Sequence, residues 1–460
     1  MEPDHSKSDK ARRTDRPLMA RSVLNRLFAS RSSAARTAVA LEQADRAIAL
    51  AHALISERGE VSGARRATEL LALYQTLEGS ALERFFDKLV AEFSPDPDKV
   101  AAAAKAYTDS PSSAAIRRLQ DVTEPPRQEL FRRFNIATGG TRALVEMRRR
   151  VRRDLPSHPQ WAALDEDLLH LFRSWFNRGF LNLQRIDWRT SALILERLIE
   201  YEAVHQINGW SDLRRRLEGD RRCFAFFHPA LPEEPLIFIE VALTRELSAT
   251  VHPLIDPRSP VADPATASHA IFYSITNCQE GLRGVSFGHF LIKQVAEDLG
   301  REFPRLRKFA TLSPVPGFRR WLTTIAPTLV NGRRANELAE LLERVGQDPR
   351  TAVQQNHQSE LMTLCAYYLV QSKKGTKPLD PVARFHLANG ARLERVNWGA
   401  DLSTSGLANA FGLMVNYVYA LSDLERNHEA YAQQARVVAS REIEKASLQT
   451  LFTDRRRNQE

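Results

Sequence analysis

Three short stretches hold the groups that could move protons or hold phosphate. In "KFATLSPVPGFRRWL", 308–322, Ser313 ends a β-prone run just ahead of Pro314, Pro316 and Gly317. A hydroxyl there either caps a helix that begins with proline or hydrogen-bonds to a reacting group. In "PVARFHLANGA", 381–391, His386 lies between Arg384 and an Asn-Gly turn signal. An imidazole in that setting is a proton donor near neutral pH, or a structural histidine with both nitrogens satisfied. In "QEGLRGVSFGHFLIKQVAEDL", 279–299, glycines 281, 284 and 288 separate a strand-like run from an amphipathic helix expected over Phe290 to Leu299. Unpaired N–H groups at a helix start, kept open by glycine, can cradle a pyrophosphate. The spacing fits neither a Walker A motif nor a dinucleotide fingerprint, and an ordinary turn is the other reading.

The elements that must position these residues fall into two parts, as 460 residues require, because single cores seldom grow much beyond about 250–300 residues. From Leu181 onward "CFAFFHP", "EPLIFIEVALT", "IFYSITNC" and "KFATLS" read as strands, separated by charged helical stretches. The expectation over 181–460 is therefore an α/β or α+β domain. Over 37–180 the apolar residues recur at helical spacing, as in the stripe Leu144, Met147, Val151 and Leu155. Breakers at "SPDPD", "SPSS", "EPP" and "GG" cut that part into the helices of a bundle. Its arginine run "RRRVRR", 148–153, reads as a solvated helix face rather than a phosphate site.

Charge and cysteine content narrow the partners. The net charge is +9, but residues 1–36 hold nine Lys or Arg against four acids, so the excess is concentrated in a flexible tail and no nucleic-acid partner is expected. The tail's acids run against a mitochondrial transit peptide, and it lacks the apolar core of a secretory signal. No uncharged run approaches the roughly 20 apolar residues of a membrane span. Cys223, Cys278 and Cys365 have neither metal-ligand nor redox-motif spacing, which suits a reducing compartment without structural metal.

Taken together, "FYSITNCQEGLRGVSFG", "REFPRLRKFATLSPVPGF", "DPVARFHLANGA" and "NWGADLSTSG", in this order across most of 180–420, resemble the malonyl-CoA decarboxylase family. The resemblance implies a helical domain followed by an N-acetyltransferase-like α/β domain. It further implies removal of the free carboxylate of malonyl-CoA as carbon dioxide, leaving acetyl-CoA, without metal or organic cofactor. The family's catalytic serine and histidine fall on Ser313 and His386. Its acyl-CoA loop falls on Arg283, Gly284, Val285, Ser286, Phe287, Gly288 and His289. Arg283 and Gly288 match the ends of an Arg/Gln-x-x-Gly-x-Gly/Ala loop, while Ser286 stands in place of its middle glycine and where some members carry glutamate. Tyr419, in "NYVY", matches an active-site tyrosine, with a buried structural tyrosine as the other reading. A homo-oligomer, dimer or tetramer, assembled through the helical domain is expected. So is a cytoplasmic location, since "RRRNQE" offers no peroxisomal tripeptide. Two other classes compete: an acyl-CoA-dependent N-acyltransferase and a non-catalytic acyl-CoA sensor, because fold alone does not decide among them.

Overall fold

The computed structural model describes residues 38–285, 291–346 and 357–449. The tail expected over 1–36 lies outside them, as do Ser286, Phe287, Gly288 and His289 of the expected loop. The chain passes from one compact unit to a second between Ser174 and Trp175.

The first unit is helical. Helices run over 38–56, Glu60–Gln75, Gly79–Glu92, Pro97–Asp109, Ser113–Thr123, Pro126–Phe134, Gly140–Asp154 and Ala162–Trp175. The breaker motifs fall between them and act as caps. Asp96 accepts from the N–H groups of Asp98 and Lys99 with Pro97 at the first helical position, and Ser112 accepts from Ala115. The stripe Leu144, Met147 and Val151 is buried with Phe85, Phe86, Phe131, Phe134 and Leu168. The arginine run departs from the solvated face expected of it. Arg148 is wholly buried and donates to Asp165 at 2.8 Å, while Arg152 reaches the same carboxylate at 3.2 Å. Arg149 and Arg150 pair with Glu146, and Arg153 with Asp154. A guanidinium buried at zero exposure needs such a partner, and Asp165 supplies it from the facing helix.

The second unit is built on one mixed sheet. Its strands are β1 (Asn182–Ile186), β2 (Arg221–Phe227), β3 (Ile237–Thr244), β4 (His269–Asn277), β5 (Lys308–Thr311), β6 (Ser313–Pro314), β9 (Arg392–Asn397) and β10 (Met414–Tyr419). A separate two-stranded ribbon pairs β7 (Lys373–Lys374) with β8 (Lys377–Pro378). β1 to β4 form an antiparallel meander. β4 and β5 are parallel, joined by a crossover containing the helix Leu291–Glu302, as a parallel pair demands. β10 then pairs antiparallel with β5, β6 and β9. The strands expected from the sequence are β2, β3, β4 and β5. All but one position in β2 and β3 is buried, which explains their largely apolar character, interrupted by the buried Arg221, Arg222 and Glu240. This helical unit followed by a mixed sheet with one parallel junction is the α plus α/β arrangement. No helix among the described residues is long and apolar enough to cross a membrane.

Two irregularities open the sheet where β4 meets β5. The pair is in register only from His269↔Lys308 to Phe272↔Thr311, after which the strands part. At the same level Glu240 faces Ser274 and Val241 faces Phe272, so Tyr273 is the extra residue of a β-bulge, which bends β4 further away.

The helix that carries His386, Pro381–Ala388, is closed at both ends by sequence-coded caps. Asp380 accepts from Val382 and Ala383, and Gly390 takes φ +79° just past the C-cap Asn389, where Ala391 N–H returns to His386 C=O at 3.1 Å. A Cβ on Gly390 would lie 2.2 Å from Leu424 C=O, whereas Gly375, at φ +63°, has open space around it. Gly390→Ala is therefore expected to lower stability by roughly 2–4 kcal/mol, combining left-handed strain with a backbone clash, and Gly375→Ala by only about 1–2 kcal/mol. Thermal unfolding of the two variants side by side tests this, and equal losses would remove the Leu424 contact as the cause.

Candidate active site

Where β4 and β5 part, a cavity of about 400 Å³ opens between Phe272, Tyr273, Ile275 and Asn277 on one side and Leu312, Ser313 and Pro314 on the other. Val285 and Leu291 close one wall; Pro381, Val382, Phe385 and His386 close another. The lining is mostly apolar, with Ser313 and His386 among its few polar side chains.

Ser313 does not cap a helix. The helix that follows, Phe318–Thr324, begins after Gly317 without a side-chain cap, and Ser313 belongs to β6, where it pairs with Val415. Its Oγ lies 2.9 Å from His386 Nε2 and donates to Thr311 Oγ1 at 2.8 Å. His386 Nδ1 meets Tyr419 Oη at 2.7 Å. The imidazole stacks on Tyr417, centroids 4.5 Å apart, with the Phe385 ring edge-on at 5.1 Å. Three residues singled out from the sequence, Ser313, His386 and Tyr419, are thus brought into one hydrogen-bonded row, although 73 residues separate the first two. Arg283 and Gly284 are exposed, Gly284 with φ +89°, and Val285 lines the cavity. The remaining loop residues, Ser286 to His289, lie outside the described residues.

The row is neutral. Burial drives the pKa of His386 down to about 3, because both its partners are hydroxyls and, among the described residues, no carboxylate stands beside it to favour the cation. The same burial pushes the Tyr419 phenol well above its ordinary value. His386 near neutral pH is accordingly not an imidazolium waiting to give its proton. What it holds out is the single N–H of a neutral ring.

Four side chains in or beside this row were not singled out from the sequence. Thr311 lies two residues before Ser313, and strand periodicity alone would put both on one face. Tyr417 stands in the same relation to Tyr419 on β10. Asp380, wholly buried, caps the His386 helix and takes a hydrogen bond from Tyr368 Oη at 3.3 Å; the Asp-Pro pair at 380–381 is a readable helix-start signal. Nothing in the sequence marks Tyr368, since its contact with Asp380 comes from the packing of two helices.

A buried Ser–His–Tyr row stands at the parting of a parallel strand pair in an α/β domain that follows a helical one. Residues 179–458 match the family model described as malonyl-CoA decarboxylase C-terminal domain, and 93–176 match the malonyl-CoA decarboxylase N-terminal domain. The chain is 34% identical over 424 residues to the mitochondrial malonyl-CoA decarboxylase of Anser anser anser, covering 84% of each. It is similar to the crystal structure of malonyl-CoA decarboxylase from Rhodopseudomonas palustris, with TM-score 0.82, 46% identity, and 87% of this chain and 99% of that one covered. The corresponding structure from Agrobacterium vitis gives TM-score 0.79 and 46% identity over 86% and 98% of the two chains. The chain belongs to the malonyl-CoA decarboxylase family.

The burial of two ionisable groups sets opposite pH dependences. An unfolded histidine binds a proton below about pH 6.5 but folded His386 does so only near 3, so its contribution to stability is lost as pH falls through that interval. Asp380, pushed by burial up to about 6, favours its protonated form, so its contribution grows as pH falls from about 6 toward 3.8. The expected signature of the first is that the His386 ring resonances of the folded protein stay fixed from about pH 8 to about pH 5. A midpoint near 6.5 in those resonances would show that burial does not keep the ring neutral.

Proposed function

We propose that this chain decarboxylates malonyl-CoA to acetyl-CoA and carbon dioxide, with Ser313 and His386 at the reaction centre and Tyr419 behind them. The observation that carries the reading is the 2.9 Å contact of Ser313 Oγ with His386 Nε2 inside an apolar cavity at the parting of β4 and β5. The family membership of the chain supports the substrate. The loop from Arg283 to His289 is the natural seat for the pyrophosphate of coenzyme A, and the cavity takes the malonyl thioester.

The chemistry asks little beyond placement. The bond between C2 and the carboxylate breaks, its electron pair forms the enolate of the thioester, and carbon dioxide leaves. The thioester carbonyl is the electron sink. Apolar walls of Phe272, Leu291, Leu312 and Phe385 favour turning a localised carboxylate into a neutral gas and a delocalised enolate. A hydrogen-bond donor well placed on the developing oxyanion contributes roughly 3–4 kcal/mol. Ser313 then gives its proton to C2 while Nε2–H moves onto Oγ and the Tyr419 proton moves onto Nδ1. The negative charge passes along the row to Tyr419 only transiently, because burial disfavours the phenolate, and a proton from solvent replaces the one consumed. Each turnover takes up one proton and needs no acceptor molecule.

That last property separates decarboxylation from acyl transfer to an amine. Purified protein given malonyl-CoA alone should release carbon dioxide and acetyl-CoA, followed by mass spectrometry. Product appearing only when an amine is added would move the chain to the acyltransferase class. His386→Asn should reduce kcat about 10²- to 10⁴-fold with substrate binding nearly unchanged. Ser313→Ala should depress kcat with little shift in Tm, and a large shift with normal turnover per folded molecule would return Ser313 to a structural role.

The helical part, 37–180, supplies the interface of a dimer or tetramer in this reading, because its stripes carry no convergent site motif. A cytoplasmic setting accompanies it, supported by the free and buried thiols of Cys223, Cys278 and Cys365. Sedimentation should show an oligomer at micromolar concentration; a fully active monomer would remove the interface role.

A further inference from the structure

Ser313 Oγ touches two groups at once, Nε2 of His386 at 2.9 Å and Oγ1 of Thr311 at 2.8 Å. A serine hydroxyl has one proton to give, and the geometry directs it to Thr311. Thr311 is wholly buried, and the backbone N–H of Tyr417, which can only donate, approaches the same oxygen at 3.2 Å. With the serine proton engaged, the contact at Nε2 is a hydrogen bond only if Nε2 carries the ring's proton. Burial keeps the ring neutral, so Nδ1 is bare and accepts from Tyr419 Oη at 2.7 Å. The same direction follows from the other end of the row. Tyr419 Oη is buried and has no other hydrogen-bond partner among the described residues, so its proton has only Nδ1 to go to.

We infer that Thr311 is a positioning residue that sets the direction of this row, with every proton pointing from Tyr419 through His386 and Ser313 toward Thr311. Its consequence for turnover rests on the decarboxylase reading; the direction itself does not. While Thr311 accepts, Ser313 stands with an N–H behind its oxygen and a proton free to swing from Thr311 to the substrate. Without that acceptor, Ser313 can turn its proton onto Nε2. The ring then takes the other tautomer, with Nδ1–H on Tyr419 Oη, and Ser313 offers a carboxylate or enolate only lone pairs. Such a state repels the very charge it should hold or protonate.

The test is the tautomer of His386, read without substrate from the ring nitrogen shifts of protein labelled with [15N]histidine, with the His386→Asn spectrum giving the assignment. The wild type should show Nε2–H. Thr311→Val, which keeps the volume and removes the acceptor, should shift the ring toward Nδ1–H and lower kcat about tenfold with KM within about twofold. Thr311→Ser should restore both. Thr311→Ala serves the same purpose should the valine variant fold poorly, and the wild-type tautomer decides even without a variant. An Nδ1–H ring in the wild type overturns the inference. So does a folded Thr311→Val protein with lowered Tm but unchanged tautomer and rate. A wild type that shows Nε2–H yet releases no carbon dioxide would sink the decarboxylase reading and leave the role of Thr311 standing.

Discussion

A neutral imidazole can be buried only if both of its nitrogens find partners, and for His386 those partners come from two different strands. Ser313 arrives on β6 and Tyr419 on β10. The two strands must therefore be neighbours, and β10 must run alongside both β5 and β6. The sheet can do this only because β4 and β5 separate after Phe272, which leaves a cavity at the turning point where β6 begins. The helix of His386 is then fixed from outside the sheet. Asp380 holds its first turn, Tyr368 braces Asp380, and the left-handed Gly390 ends it after two turns. Close approach supports this arrangement as well. Gly317 lies so near Tyr368 that a Cβ there would meet the phenol oxygen at 2.3 Å.

Much of the frame was legible in the sequence, and the reasons differ by element. Apolar runs bounded by Pro, Asp and Gly marked β2 to β5 because these strands are covered on both faces. Helix breaks in the first unit were legible because caps are written in short motifs. The arginine run misled because charge alone says nothing about what stands opposite, and Asp165 comes from another helix. Ser313 was ambiguous for a related reason. A serine before a proline-rich turn looks like a cap, and only the strand pairing with Val415 shows that the chain is still extended there. The protonation of His386 was the least legible feature, since it depends on complete burial and on the absence of a nearby carboxylate among the described residues, both products of tertiary packing.

The row also divides its labour by chemical type. Groups at its ends, Thr311 and Tyr419, are wholly inside the protein, while Ser313 and His386 line the cavity. Aromatic faces around the ring, Tyr417 flat and Phe385 edge-on, add apolar contact without offering charge. The result is a site whose polarity lies in the direction of hydrogen bonds rather than in ions.

The late place of β10 in the chain has a kinetic side. The meander β1 to β4 closes through separations of tens of residues, whereas the contact of Tyr417 with Thr311 spans 106. Loop-closure entropy grows with span, so the outer half of the sheet can pair while β10 is still free. Until β10 docks, His386 has no Tyr419 and β5 has an open edge. Assembly of the site and sealing of the sheet are thus one event. A nascent or partly folded chain of this protein carries a sticky strand edge for as long as the row of Ser313, His386 and Tyr419 is incomplete, so the interval before the row closes is also the interval in which the chain is most exposed to aggregation.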